Sequence, residues 1–132
     1  MGLFDFFRKK QKGDEDVAEL LALLMQAQRE SRTDAVDSDD IPSGYGPFGL
    51  CKTNPVPTSN ILGSKEYLSR LRTIDGQPVE SFRRGSTSAK DVTNGMIDMY
   101  QISLNGEMLG TVFICPYHSR NSGKAPDGFR LV

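Results

Sequence analysis

Apolar positions change their spacing three times along the chain, and each change marks a different kind of segment. In residues 1–12, Leu3, Phe4, Phe6 and Phe7 occupy i, i+1, i+3 and i+4, one side of a helical turn, and Arg8, Lys9, Lys10 and Lys12 follow at once. Val17, Leu20, Leu21, Leu24 and Ala27 then repeat at i, i+3, i+4, i+7 and i+10, which predicts an amphipathic helix over 16–31. Asp16 is placed to cap it, with Glu19 three positions on as in a capping box. Glu15, Glu19, Gln26, Arg29 and Glu30 supply the polar side, and Leu23 and Met25 widen the apolar stripe. Periodicity then stops. The stretch up to Pro47 holds Asp34, Asp37, Asp39 and Asp40 with Ser38, Pro42, Ser43, Gly44 and Gly46. So few apolar groups cannot offset the entropy of ordering, which predicts a mobile linker.

Beyond residue 48 the signals are those of strands. Asn105-Gly106 stands between Met96–Leu104 and Glu107–Cys115, and Asn-Gly supplies the positive φ angles of a type I′ hairpin turn. A two-residue loop pairs Leu104 with Glu107, Ile102 with Leu109, Tyr100 with Thr111 and Met99 with Val112. Val79–Arg84 reads as another strand after the turn Asp75-Gly76-Gln77-Pro78. Tyr67, Leu68 and Leu71 suggest a short helix over 65–72, and the prolines hold Asn54–Pro57 extended. The expected class is α+β: a small antiparallel β-rich C-terminal domain, of three to five strands and one helix, with an N-terminal amphipathic helix on a flexible linker. Its expected parts are an apolar and basic N-terminal segment (1–12), the amphipathic helix (13–33), the flexible linker (34–47) and the β-rich domain (48–132).

With 132 residues and a net charge of −1, the chain has room for one domain with appendages. The charge is unevenly spread: residues 1–40 hold six basic and ten acidic side chains, residues 41–132 ten and seven. A surplus of +3 on the domain gives little counterion release, so nucleic acid is not expected as a partner. Anion or nucleic-acid binding stays a minor alternative. No apolar run approaches the ~20 residues needed to cross a bilayer. Two cysteines, Cys51 and Cys115, do not make a disulfide framework. No signal peptide is recognisable, since the apolar residues precede the basic ones. A cytoplasmic location is expected, with peripheral membrane contact through residues 1–12 as its variant.

Several phrases resemble a family of small bacterial proteins of unknown function. They are Thr53-Asn54-Pro55-Val56-Pro57, Tyr67-Leu68-x-Arg70-Leu71 with Asp75-Gly76, Arg84-Gly85-Ser86, Pro116-Tyr117-His118 and Ala125-Pro126-Asp127-Gly128-Phe129. The opening Met1–Phe7 is similar to the starts of several small bacterial proteins. The resemblance covers residues 48–132. It implies a bacterial source and brings no catalytic role with it.

Candidate chemistry therefore rests on the residues themselves. His118 is the only histidine and follows Cys115 at C-x₂-H spacing. It is the one side chain with an unperturbed pKa near neutrality, and as a base it would activate Cys115, Cys51 or Ser119. Asp98 and Asp127 are the acids considered for orienting it. Nucleophilic catalysis needs that orienting group and an oxyanion hole as well. No signature of either is present, so no catalytic set is assigned. Cys51, Cys115 and His118 fall short of the four ligands of a structural zinc site, and neither metal nor cofactor is expected. Arg83, Arg84 and Ser86 offer two guanidiniums and a hydroxyl for an anion, but without a phosphate-loop pattern. The leading expectation is a non-enzymatic protein-interaction module with an unidentified protein partner. Its binding residues are Leu3, Phe4, Phe7, Leu20 and Leu24. The rival is a small Cys/His-dependent hydrolase or transferase.

Overall fold

The computed structural model describes residues 17–21 and 35–132. Leu3, Phe4, Phe7, Leu24 and most of the helix expected over 16–31 lie outside the described residues. Residues 17–21 are helical. The remaining elements are β1 (Val56–Pro57), α1 (Asn60–Ser69), β2 (Leu71–Thr73), β3 (Glu80–Thr87), β4 (Ile97–Leu104), β5 (Glu107–Cys115) and β6 (Phe129–Leu131). The protein is thus mixed α/β and mostly sheet. No helix among the described residues is long and apolar enough to cross a membrane.

The main sheet has the order β1-β5-β4-β3. β3, β4 and β5 form an antiparallel meander, whereas β1 joins β5 in parallel, Val56 opposite Ile114. The sheet is therefore mixed where an antiparallel one was expected. Parallel pairing follows from the connection, since α1, β2, β3 and β4 all intervene between β1 and β5 and return the chain in the same direction. A second, two-stranded sheet pairs β2 with β6, Leu71 opposite Leu131.

The Asn105-Gly106 turn is present, with φ of 52° and 83°. Leu104 faces Glu107 as expected, but the register then slips by one. Ser103 faces Met108, Ile102 faces Gly110, and Leu109 is left over as a bulge. Without that slip Tyr100 would face Thr111, and Val112 and Ile114 would turn away from the side that Tyr100 and Ile102 bury. With it Tyr100 faces Val112, Met99 faces Phe113 and Asp98 faces Ile114. A one-residue shift moves every side chain to the other side of a sheet, so core burial selects the bulge over the regular hairpin. Gly110 makes it feasible by adopting φ of 155°. A second bulge, at Arg84 between Arg83 and Gly85, again places a glycine at positive φ, 150°.

Each side of the sheet has its own core. On one side Tyr100, Ile102, Val112 and Ile114 pack with Phe48, Val56 and Leu71 and with Tyr67 and Leu68 of α1. On the other, Ile97 and Cys115 pack with Ile41, Ala89, Val92 and Tyr117. The helix begins earlier than apolar spacing suggests. Asn60, at φ of 61°, turns its carboxamide oxygen onto the N–H groups of Leu62 and Gly63 in the first turn, where Gly63 also reaches the Ser59 carbonyl. Leu71 is not helical because it pairs with Leu131.

Residues 35–41, inside the stretch expected to be mobile, are instead laid along the domain. Val36 donates its N–H to His118 Nδ1 at 2.9 Å, and its carbonyl accepts from the N–H and hydroxyl of Ser119. Arg120 binds Asp37 and Asp39, Gly123 donates its N–H to Asp39, and Lys124 meets Asp40. Ile41 is 5% exposed and completes the second core. The acids of this stretch have cations and amides opposite them, and one buried isoleucine anchors the strap.

Candidate interaction site

Helical residues 17–21 lie beside α1. Val17, Leu20 and Leu21 face Ile61 and Leu62 across an apolar hollow of about 230 Å³. Ile61 closes its floor, buried to 1% exposure. Val17, Leu21 and Leu62 are all more than half exposed, and Leu20 is half-buried. Amphipathic spacing in 17–21 thus supplies one wall, and an α1 apolar pair at adjacent positions supplies the other. Of the expected binding residues, Leu20 is the one the structure places, and it lines this hollow.

A chain of charges ties the helical turn to the sheet. Glu19 Oε2 lies 3.7 Å from Arg83 Nη1, and Arg83 Nη2 lies 3.2 Å from Asp98 Oδ1. Asp98 is 2% exposed and Tyr100 fully buried. Burial pushes the Asp98 carboxyl above its ordinary value, against the pull of Arg83. Burial likewise drives the Tyr100 phenol well up. Among the described residues Asp98 Oδ2, Tyr100 Oη and Arg83 Nε have no hydrogen-bond partner. Native proteins satisfy most such buried groups, so this cluster of three is a polar weak point beneath the sheet. In the sequence Asp98 is a candidate only for orienting His118. Its contact with Arg83 arises because the β3–β4 register sets Arg83 opposite Tyr100, two positions from Asp98 on the same side of the sheet, which spacing alone does not reveal.

Arg83 and Arg84 do not converge. Arg83 lies opposite Tyr100 and turns to Asp98. Arg84 turns the other way, to Gln101 Oε1 and over the Phe82 ring at 5.7 Å. Ser86 lies opposite Asp98, away from Arg84.

Cys115 is fully buried at the end of β5, with Thr93 Oγ1 3.7 Å from its sulfur. His118 is 5% exposed; its backbone N–H donates to the Thr58 carbonyl and its Nδ1 accepts from the Val36 N–H. Cys51 stands elsewhere, in the loop 46–54, against Thr53 and the carbonyls of Tyr45 and Pro47. Asp98 and Cys115 lie on opposite sides of the sheet, and Asp127 is exposed in the turn before β6. Among the described residues no three His, Cys, Asp or Glu side chains are grouped to hold a metal ion.

No family model, curated protein or solved structure matches the chain.

Proposed function

We propose that the protein is a protein-interaction module that presents the apolar hollow between helical residues 17–21 and α1 to a protein partner. The observation that carries this reading is the exposure of Val17, Leu21 and Leu62, large apolar side chains around one concavity. Single exposed apolar residues are ordinary; clustered ones rimmed by polar groups mark recognition surfaces. Glu19, Lys65 and Glu66 are exposed polar residues on the same two helical segments. The partner chemistry that fits is an apolar side chain or helix edge inserted between the two helical walls. Burial of Cys115 and the structural engagement of His118 support this reading over thiol–imidazole chemistry.

The test uses the full chain and its variant Leu21→Asp with Leu62→Asp as baits in quantitative capture from source cells. Both side chains are 57% exposed, so the variant is expected to melt within a few degrees of wild type. It is expected to lose a protein that wild type retains in stoichiometric amount. Identical captures from the two baits would discard the hollow as the binding element.

A further inference from the structure

We propose that the chain forms a two-fold dimer in which β3 pairs antiparallel with β3 of a second copy, in the register that sets Phe82 opposite Phe82 and Glu80 opposite Arg84. This surface is separate from the hollow at α1, and the proposal stands whether or not that hollow binds a partner.

β3 is the outermost strand of the main sheet. Among the described residues, no strand and no backbone hydrogen bond reaches its outer side. It is eight residues long and contains neither proline nor lysine, two of the usual guards of a sheet edge. Glu80, Phe82 and Arg84 are all exposed and lie on the side of the sheet away from Asp98 and Tyr100. Phe82 is 47% exposed, a large aromatic ring at the middle of an unpaired edge.

Symmetry restricts how two such edges can meet. Residues directly opposite in an antiparallel ladder share a side of the sheet, so a two-fold axis must pass through a residue position. An axis at Arg83 or at Arg84 would oppose two like guanidiniums. An axis at Ser81 would set Glu80 against Phe82 and leave Arg84 without an acid. An axis at Phe82 stacks the two rings and forms the Glu80–Arg84 pair twice. Ser81 then stands opposite Arg83, whose guanidinium is already held by Asp98 on the other side of the sheet. Opposite charges and aromatic pairs directly across a ladder are the favourable cross-strand combinations. Charge on an edge normally repels copies; here the charges are of opposite sign and equidistant from an aromatic. The bulge at Arg84 bends the strand beyond it, which limits the pairing to residues 80–84.

Sedimentation equilibrium on the full chain tests this. Wild type is expected to dimerise. Glu80→Arg alone and Arg84→Glu alone each place like charges opposite one another, and each is expected to raise the dimer Kd by about tenfold or more. An equimolar mixture of the two variants restores both opposite-charge pairs and is expected to form heterodimers. The chain carrying both substitutions should self-associate as wild type does. Recovery in the mixture cannot come from a misfolded chain, which separates lost pairing from lost folding. A wild type that stays monomeric at every concentration overturns the proposal. So does dimerisation that ignores the single reversals, or a mixture that remains monomeric.

Discussion

Val36 and His118, 82 positions apart, are joined by a 2.9 Å hydrogen bond from the backbone N–H of one to Nδ1 of the other. The bond assigns the imidazole its acceptor nitrogen, because an N–H donor needs a lone pair at Nδ1. It also fixes where residues 35–41 run, since Ser119 grips the carbonyl of the same residue.

His118→Ala should therefore leave a partly buried amide without its acceptor. The expected cost is about 1–3 kcal/mol. Hydrogen exchange gives the sharper readout: the Val36 amide should lose protection while the β4–β5 amides keep theirs. Unchanged protection at Val36 would mean that Ser119, the buried Ile41 and the ion pairs hold the strap without the imidazole. Those pairs are exposed, and exposed pairs contribute only about 0–1 kcal/mol each.

Asp98 should tilt the pH dependence of stability in a direction unusual for a carboxylate. Burial first, opposed by Arg83, lifts its native pKa above that of an ordinary aspartate. An acid with a raised native pKa holds its proton longer when folded. Its contribution is thus full below the unfolded value, falls as pH rises between the two values, and is constant above the native one. Relative to wild type, Asp98→Asn should gain stability as pH rises from the unfolded value, then level off. Urea unfolding of both chains from about pH 3 to about pH 7 measures this difference. Asp39 has the opposite sign. The Gly123 N–H, then Arg120, hold its carboxyl below the usual range, so its share is lost as pH falls.

Two glycine substitutions should separate backbone strain from steric blockage. Gly110→Ala meets no atom within 4 Å, so its cost is that of φ at 155°, about 1 kcal/mol or somewhat more. Gly95→Ala drives its Cβ into the Tyr117 ring. That forces the second core apart, and a cost of about 3 kcal/mol or more is expected. Thermal unfolding of the two variants should rank them in that order. The reverse ranking would imply that Tyr117 can swing aside.

Legibility in the sequence follows the range of the forces involved. The Asn105-Gly106 hairpin was readable because two adjacent residues determine the turn. Its register was not, because Leu109 is displaced by what Val112 and Ile114 must bury across the whole sheet. Helix α1 was placed late because apolar spacing points to Tyr67, Leu68 and Leu71, whereas the start is determined by the side chain of Asn60. The strap reads as mobile from composition because the partners of its acids, Arg120, Gly123 and Lys124, are remote in sequence. For the candidate site, amphipathic spacing singled out Leu20, but nothing local indicated that α1 would supply the other wall. Arg83 and Arg84 look like one basic pair until strand geometry sends their guanidiniums apart.

The parallel pairing of β1 with β5 also governs the order in which the chain can assemble. β3, β4 and β5 follow one another in the chain, through residues 88–96 and the Asn105-Gly106 turn, and can close locally. Val56 meets Ile114 only after every element between them has been traversed, and the closure of β2 on β6 spans a similar distance. Loop-closure entropy penalises such long-range contacts before they stabilise anything, so the meander is expected to form first. The strap bearing Val36 then has no surface to settle on until the turn carrying His118 has been positioned by Thr58 beyond β1. Its closure is thus a late folding event and, on the reverse path, an early opening.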